Sequence, residues 1–236
     1  MRNYLTFGGV DCRDYGVYIS GQGTFSAPAR AYETISVPGR NGDLIGSEKR
    51  LENLELTYQA FVYANFRENI QAFRSFLLSQ TGYKRLADTY HPEEFRMACY
   101  AGPFEPEVRQ DNKAGRFDIV FNCKPQRFLL SGEQVQTFGP GGDAIRNPTL
   151  FDAQPLLRVY GNGTVSIGGV DMTIEDSPHE YVDIDCAMMD AFYGATNCNS
   201  YLTLSGNDFP VLSPGINFII INDFTRVDIT PRWWQL

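Results

Sequence analysis

The amino-acid sequence predicts a mainly β protein in two domains, the first carrying one α-helix and a β-hairpin and the second a jelly-roll sandwich. Three features predict it. The 22 glycines and 13 prolines are spread between short runs of β-branched and aromatic residues, which suits many strands joined by tight turns. Only one segment shows helical spacing, and it lies in the first half. The 236 residues, 43% hydrophobic and 14% aromatic, suffice for two packed interiors when domains commonly run roughly 100–150 residues.

The chain opens with apolar residues at Tyr4, Val10, Tyr15, Val17 and Ile19, and then Ile35 and Val37 lead into Pro38-Gly39-Arg40-Asn41-Gly42-Asp43. That cluster is a turn, because proline presets its own φ and the two glycines can take positive φ. Leu54, Leu56, Tyr58, Ala60 and Val62 then alternate with polar residues, which predicts a half-buried strand. Phe66, Ile70, Phe73 and Leu77 recur at helical spacing. Asn65 with Glu68 three residues on forms a potential capping box, and Gly82 a stop, so the helix is expected over about 66–80 with its apolar stripe on the first sheet. Strand patterns resume at 86–89, 95–100 and 117–123. The polar stretch Gln110 to Gly115 is expected to tip a hairpin joining Val108 to Phe117.

Lys124-Pro125 ends that strand. The segment 131–142, with Gly139-Pro140-Gly141-Gly142 in it, reads as the crossing between domains, and the division is placed at 1–135 and 136–236. The second half shows only short strand patterns, at 156–160, 164–167, 181–187, 201–204, 217–221 and 226–230. Strands at that spacing, separated by Gly-Asn and Pro-Gly turns, predict a jelly-roll sandwich.

The net charge of −8 is unevenly placed: 16 Lys/Arg face 15 Asp/Glu through Arg127, and 4 face 13 after it. An acidic second domain repels phosphate backbones, which argues against sequence-reading contact with nucleic acid. The five cysteines are odd in number and form no CxxC, so at least one thiol stays free of intrachain pairing, and a reducing site of synthesis is expected. No signal-peptide pattern opens the chain, and no stretch reaches the roughly 18 apolar residues of a membrane span.

Chemistry-bearing patterns are scarce. His91 and His179 fall in different predicted domains and are expected at the surface. Neither builds a Ser-His-Asp or Cys-His arrangement, and no cluster has metal-ligand spacing. Asp183 and Asp185 alternate with Val182, Ile184 and Cys186, which places them on the outer, solvent side of a strand and argues against a glycosidase pair. Gly161-Asn162-Gly163 joins strand to strand and so lacks the helix N-terminus of a phosphate site. No catalysis, cofactor or metal is expected.

Several ordered segments resemble the distal tail proteins of long-tailed bacteriophages and their prophages, particularly those of Gram-positive hosts. They are Phe7-Gly8-Gly9-Val10 with Asp14-Tyr15-Gly16-Val17, the turn Val37 to Gly42, and the strand Phe117 to Cys123 with Lys124-Pro125. Asn147-Pro148-Thr149 with Pro155 to Gly163, Leu212 to Asn217 and Pro231-Arg232-Trp233-Trp234-Gln235-Leu236 complete the set. The resemblance implies an N-terminal β-sandwich with a helix and hairpin that closes a homo-hexameric ring, and a C-terminal galectin-like or carbohydrate-module-like sandwich.

It also implies a structural hub in the virion, joining the tail tube protein to the tail-associated tip protein and a receptor-binding protein. DNA passes through its lumen unread, and the chain is made and assembled in the host cytoplasm. On this reading the candidate self-assembly contacts are Pro38, Gly39, Arg40, Asn41 and Gly42, with Asn112, Lys113 and Gly115 at the second hairpin tip. The rival reading is a module for host cell-wall glycan, stacking sugars on Tyr160, Tyr193, Trp233 and Trp234. Of the tryptophan pair, alternation predicts one indole inward and one outward.

Overall fold

A computed structural model describes residues 2–21, 23, 25–100, 102–109 and 113–236. The chain divides into two compact units, Met1–Arg127 with Leu236, and Phe128–Gln235. The expected division at 135/136 falls slightly later, because 131–142 read as a crossing. That stretch instead carries a 3-10 turn, Leu130–Glu133, and a strand, Gln136–Phe138, of the second unit. Short and with only Phe138 buried, the strand leaves almost no apolar signal.

In the first unit the strands are β1 (Leu5–Phe7), β2 (Val10–Asp11), β3 (Val17–Ser20), β4 (Arg30–Ile35), β5 (Leu44–Leu51) and β6 (Leu54–Val62). Helix α1 (Phe66–Ser79) follows, then β7 (Lys84–Asp88), β8 (Glu94–Tyr100), β9 (Glu107–Arg109) and β10 (Ala114–Cys123). The main sheet runs β2-β1-β7-β8-β10-β6-β3, with β9 paired to β10. It rolls back on itself: Asn3 bridges Ile19, whose N–H donates to the Asn3 carbonyl at 3.0 Å. One sheet thereby wraps the core of the first unit.

β6 shows how sequence sets this register. Its residues alternate buried and exposed as the period-two pattern requires, and it pairs antiparallel with β10 from Gly115↔Val62 to Cys123↔Leu54. α1 packs against β3 and β6 and buries Phe66, Phe73 and Leu77. Phe73 meets Tyr15 at 5.7 Å and Phe117 at 6.0 Å between ring centroids. Each such side chain contributes roughly 1.5–3 kcal/mol through burial. The capping box is not formed: Asn65 adopts a left-handed backbone (φ 47°, ψ 41°), which turns its side chain away from the helix amides. The Asn69 amide instead donates to the Ala64 carbonyl at 3.0 Å.

The second unit follows β11 (Arg127–Leu129) with β12 (Gln136–Phe138), β13 (Asp143–Asn147), β14 (Leu156–Tyr160), β15 (Gly163–Ile167), β16 (Val170–Ile174) and β17 (Tyr181–Asp185). Then come β18 (Asp190–Tyr193), β19 (Thr196–Asn197), β20 (Leu202–Leu204), β21 (Gly215–Asn222), β22 (Arg226–Thr230) and β23 (Trp234–Gln235). Two sheets, β12-β22-β14-β17-β18-β19 and β13-β21-β15-β16-β20, bury a common core. Leu157, Val159, Ile184 and Val227 come from one sheet and Val165, Ile167, Met172 and Ile219 from the other, the arrangement of a β-sandwich. At the turn into β13, Gly142 has φ 80°, and a Cβ there would overlap the Ile219 carbonyl. All five cysteines are free, and burial pushes the thiols of Cys12, Cys123 and Cys186 up to about 12.

Candidate assembly site

β4 and β5 pair with each other from Arg30↔Leu51 to Ile35↔Leu44, and among the described residues no other strand pairs with either. The Glu52 N–H donates to the Ala29 carbonyl at 2.9 Å and closes the base. At the far end lies the predicted turn: Arg40 N–H donates to the Val37 carbonyl at 3.2 Å, and Gly39 and Gly42 hold φ 80° and 85°. Pro38, Gly39, Arg40, Asn41 and Gly42 are all exposed. The turn is therefore the tip of an arm.

What sequence reading missed is the arm's apolar character. Tyr32 and Ile45 lie on one face, 62% and 71% exposed, and Ile35 and Leu44 lie on the other, 50% and 46% exposed. Such a hairpin, with exposed apolar side chains on both faces among the described residues, is marginal in water by itself. The available signal was the presence of large apolar residues on both sides of the turn without period-two alternation.

The second hairpin is formed by β9 and β10, with Gly115↔Val108 in register. Asn112 lies outside the described residues, and Lys113 is exposed. Gly115 is internal: a Cβ there would overlap the Phe66 ring and approach the Glu107 carbonyl to 2.7 Å. It is required for helix packing.

The four candidate glycan residues do not form one platform. Trp233 lies in the core, while Trp234 stacks on Phe151 (centroids 4.4 Å, 22°) and donates Nε1–H to the Asp152 carbonyl at 2.9 Å. Tyr160 lies under the Arg226 guanidinium, 3.9 Å from its ring centroid, and Tyr193 stacks on His179 at 4.4 Å. Tyr160, Tyr193 and Trp234 each have a ring face packed on one of the protein's own side chains.

Asp183 and Asp185 occupy the outer face of β17 as expected, yet both are buried, because arginines lie over them. Arg158 binds Asp183 through Nε and Nη2 at 2.8 and 2.9 Å, and that bonding pushes the Arg158 pKa up. Arg232 binds Asp185 at 2.7 and 2.8 Å, with the N–H groups of Ala187 and Met188 at 2.9 and 3.1 Å. Burial pushes the Asp185 carboxyl up, but these bonds outweigh it and hold the pKa below the usual carboxylate range. On the other sheet, Ile216, Phe218 and Ile220 form an exposed apolar stripe along β21.

Among the described residues no group of three His, Cys, Asp or Glu side chains is arranged to hold a metal, and no helix is long and apolar enough to cross a membrane. Residues 10–123 match the family described as the phage tail protein RIFT-related domain. Over nearly its whole length the chain has the fold of a siphophage distal tail protein. It superposes on the SPP1 Dit (gp 19.1) protein, described as a paradigm of the hub adsorption apparatus in phages infecting Gram-positive hosts. The TM-score is 0.68 at 14% identity, covering 97% of this chain and 98% of that one. A chain of the phage P2 baseplate in its activated conformation with Ca gives 0.56 at 11% identity, covering 97% and 98%. The same baseplate with Sr gives 0.55 at 10%, covering 97% of each. No curated protein matches the sequence.

Proposed function

We propose that this chain is a tail-tip hub whose first units close a homo-hexameric ring between tail tube and tip. DNA passes through the lumen of that ring without being read. The carrying observation is the β4–β5 arm: two paired strands, apolar on both faces and joined to no other strand among the described residues. A ring needs a heterologous contact, in which one surface of each copy meets a different surface of the next. An arm that gains a cover only from a neighbour supplies one half of such a contact, and an interface of roughly 1,600 Å² is enough to hold it.

On this reading Pro38 to Gly42 lead the arm onto the adjoining copy. Asn112 and Lys113 mark a second contact, and Gly115 serves the first unit's own packing. The second unit serves the tip and receptor-binding proteins, and the chain is assembled in the host cytoplasm before entering the virion. The glycan reading has little to support it, since Trp233 is buried, the Tyr160 ring is covered by Arg226, and the Tyr193 and Trp234 rings stack on His179 and Phe151.

Negative-stain electron microscopy tests the proposal on two proteins, the full chain and a variant in which residues 30–51 are replaced by a short Gly-Ser linker. Each is imaged alone and with the tail tube protein. Six-fold rings from the first and none from the second are expected. A full chain that stays monomeric in both conditions, or a linker variant that still forms rings, overturns it.

A further inference from the structure

The sequence contains two Asn-Gly pairs, Asn41-Gly42 and Asn162-Gly163, and the fold places them in opposite circumstances. Asn41-Gly42 lies at the tip of the β4–β5 arm, exposed at both residues. Among the described residues the Asn41 side chain makes no hydrogen bond and the Gly42 N–H has no acceptor. Gly42 holds φ 85°, and nothing lies within 4 Å of where a Cβ would stand. The main-chain nitrogen of Gly42 and the side-chain carbonyl of Asn41 are thus both unengaged, and residue 42 carries no side chain to hinder their approach.

Asn162-Gly163 is held in place. Asn162 Oδ1 accepts from the Ser177 N–H at 3.0 Å, and Gly163 begins β15, in register with Ile174. A Cβ at Gly163 would stand 2.5 Å from the Asn222 carbonyl and 2.6 Å from the Phe224 nitrogen, so neighbouring backbone packs directly against it. Bringing the Gly163 nitrogen onto the Asn162 side chain requires this end of β15 to open first.

We infer that Asn41-Gly42 is a site of spontaneous covalent modification, deamidation through a cyclic imide, and that the fold protects the same dipeptide at Asn162-Gly163. Water is the only co-reactant. Solvent base removes the Gly42 N–H proton, the nitrogen forms a bond to Asn41 Cγ, and the Cγ–Nδ2 bond breaks, so that the side-chain nitrogen leaves as ammonia with a proton returned from solvent. Water then adds to one of the two imide carbonyls. Cleavage at Cγ leaves aspartate with an ordinary main chain, and cleavage at the main-chain carbonyl leaves isoaspartate, whose backbone runs through Cβ and Cγ. Either product puts a carboxylate between Arg40 and Asp43, and isoaspartate also lengthens the turn by a methylene group. The chemistry needs only an exposed tip, whether or not the arm joins a ring.

Peptide mapping by mass spectrometry tests this on the full chain, incubated folded and, in parallel, unfolded in guanidinium chloride at the same mildly alkaline pH. In the folded protein the peptide holding Asn41 is expected to convert to aspartate and isoaspartate over days. Its isoaspartate fraction is expected to accept a methyl group from S-adenosylmethionine when an isoaspartate methyltransferase is added. The peptide holding Asn162 is expected to convert at least about tenfold more slowly, since ring closure there waits on local opening. In the unfolded chain the two pairs are expected to convert at similar rates. An Asn41 peptide that stays unmodified in the folded protein, or equal folded-state rates at the two pairs, overturns the inference. So does a tenfold difference that persists in the unfolded chain, because the fold would then not be its cause.

Discussion

Replacing Arg232 by methionine keeps the length and apolar stem of the side chain while removing the guanidinium that covers Asp185. Two charge-assisted bonds, at 2.7 and 2.8 Å, are lost, each contributing roughly 1.5–3 kcal/mol. Two factors reduce the sum: the Arg232 side chain is 29% exposed, and Asp185 keeps the N–H groups of Ala187 and Met188. A loss of about 2–4 kcal/mol remains, near the lower end for breaking a buried pair. For a unit of this size that lowers the melting temperature by roughly 8–16 °C. Both tryptophans, Trp233 and Trp234, lie in the second unit, so indole fluorescence reads its unfolding without interference from the first.

The double variant Asp185→Asn with Arg232→Met is expected to lose less than the sum of the single changes, because no buried carboxylate is then left uncovered. A coupling of about 2 kcal/mol is expected from the cycle. An Arg232→Met protein within about 0.5 kcal/mol of the unaltered one, or a coupling near zero, would refute the reasoning.

Acid provides an independent check on the same pair. The Asp185 pKa is lowered on folding, so its contribution is fully present above the unfolded value and is lost as pH falls through the folded one. Fluorescence-monitored stability is therefore expected to decline below about pH 4, and less steeply in Asp185→Asn. Gly115→Ala is expected to destabilise the first unit by about 1–3 kcal/mol in urea titrations, since a Cβ meets the Phe66 ring. Ile45→Glu should leave melting within about 0.5 kcal/mol, as the side chain is exposed, yet abolish ring formation in light scattering. Trp234→Ala removes the Phe151 stack and the bond to Asp152; a loss of about 1–2 kcal/mol is expected by denaturant titration.

The parts of the fold that were legible in sequence are those where one face meets a core. β6 and β22 carry a clean alternation, and α1 a clean stripe, because burial on one side imposes the period. The arm escaped that test. With both faces of β4 and β5 exposed, nothing imposed alternation, and only the turn chemistry of Pro38 to Gly42 was readable. Asp183 and Asp185 show the converse limit. Alternation placed them on the outer face, but the arginines that bury them come from β14 and from the chain terminus, 25 and 47 residues away in sequence. The capping box at Asn65 failed for a local reason, since the pattern fixes residue types and not the left-handed backbone that Asn65 adopts.

The bridge from Asn3 to Ile19 has a consequence for how this chain behaves at high concentration. Where the rolled sheet meets itself, backbone groups that would otherwise recruit stray strands are already spoken for, so the body of the first unit is a poor template for unintended β-pairing. That hazard is concentrated in the arm, which carries open strand flanks and apolar side chains together. Copies kept apart from anything that covers the arm are expected to meet one another through it, and a sticky element confined to one place is easily shielded by the arrival of the correct neighbour.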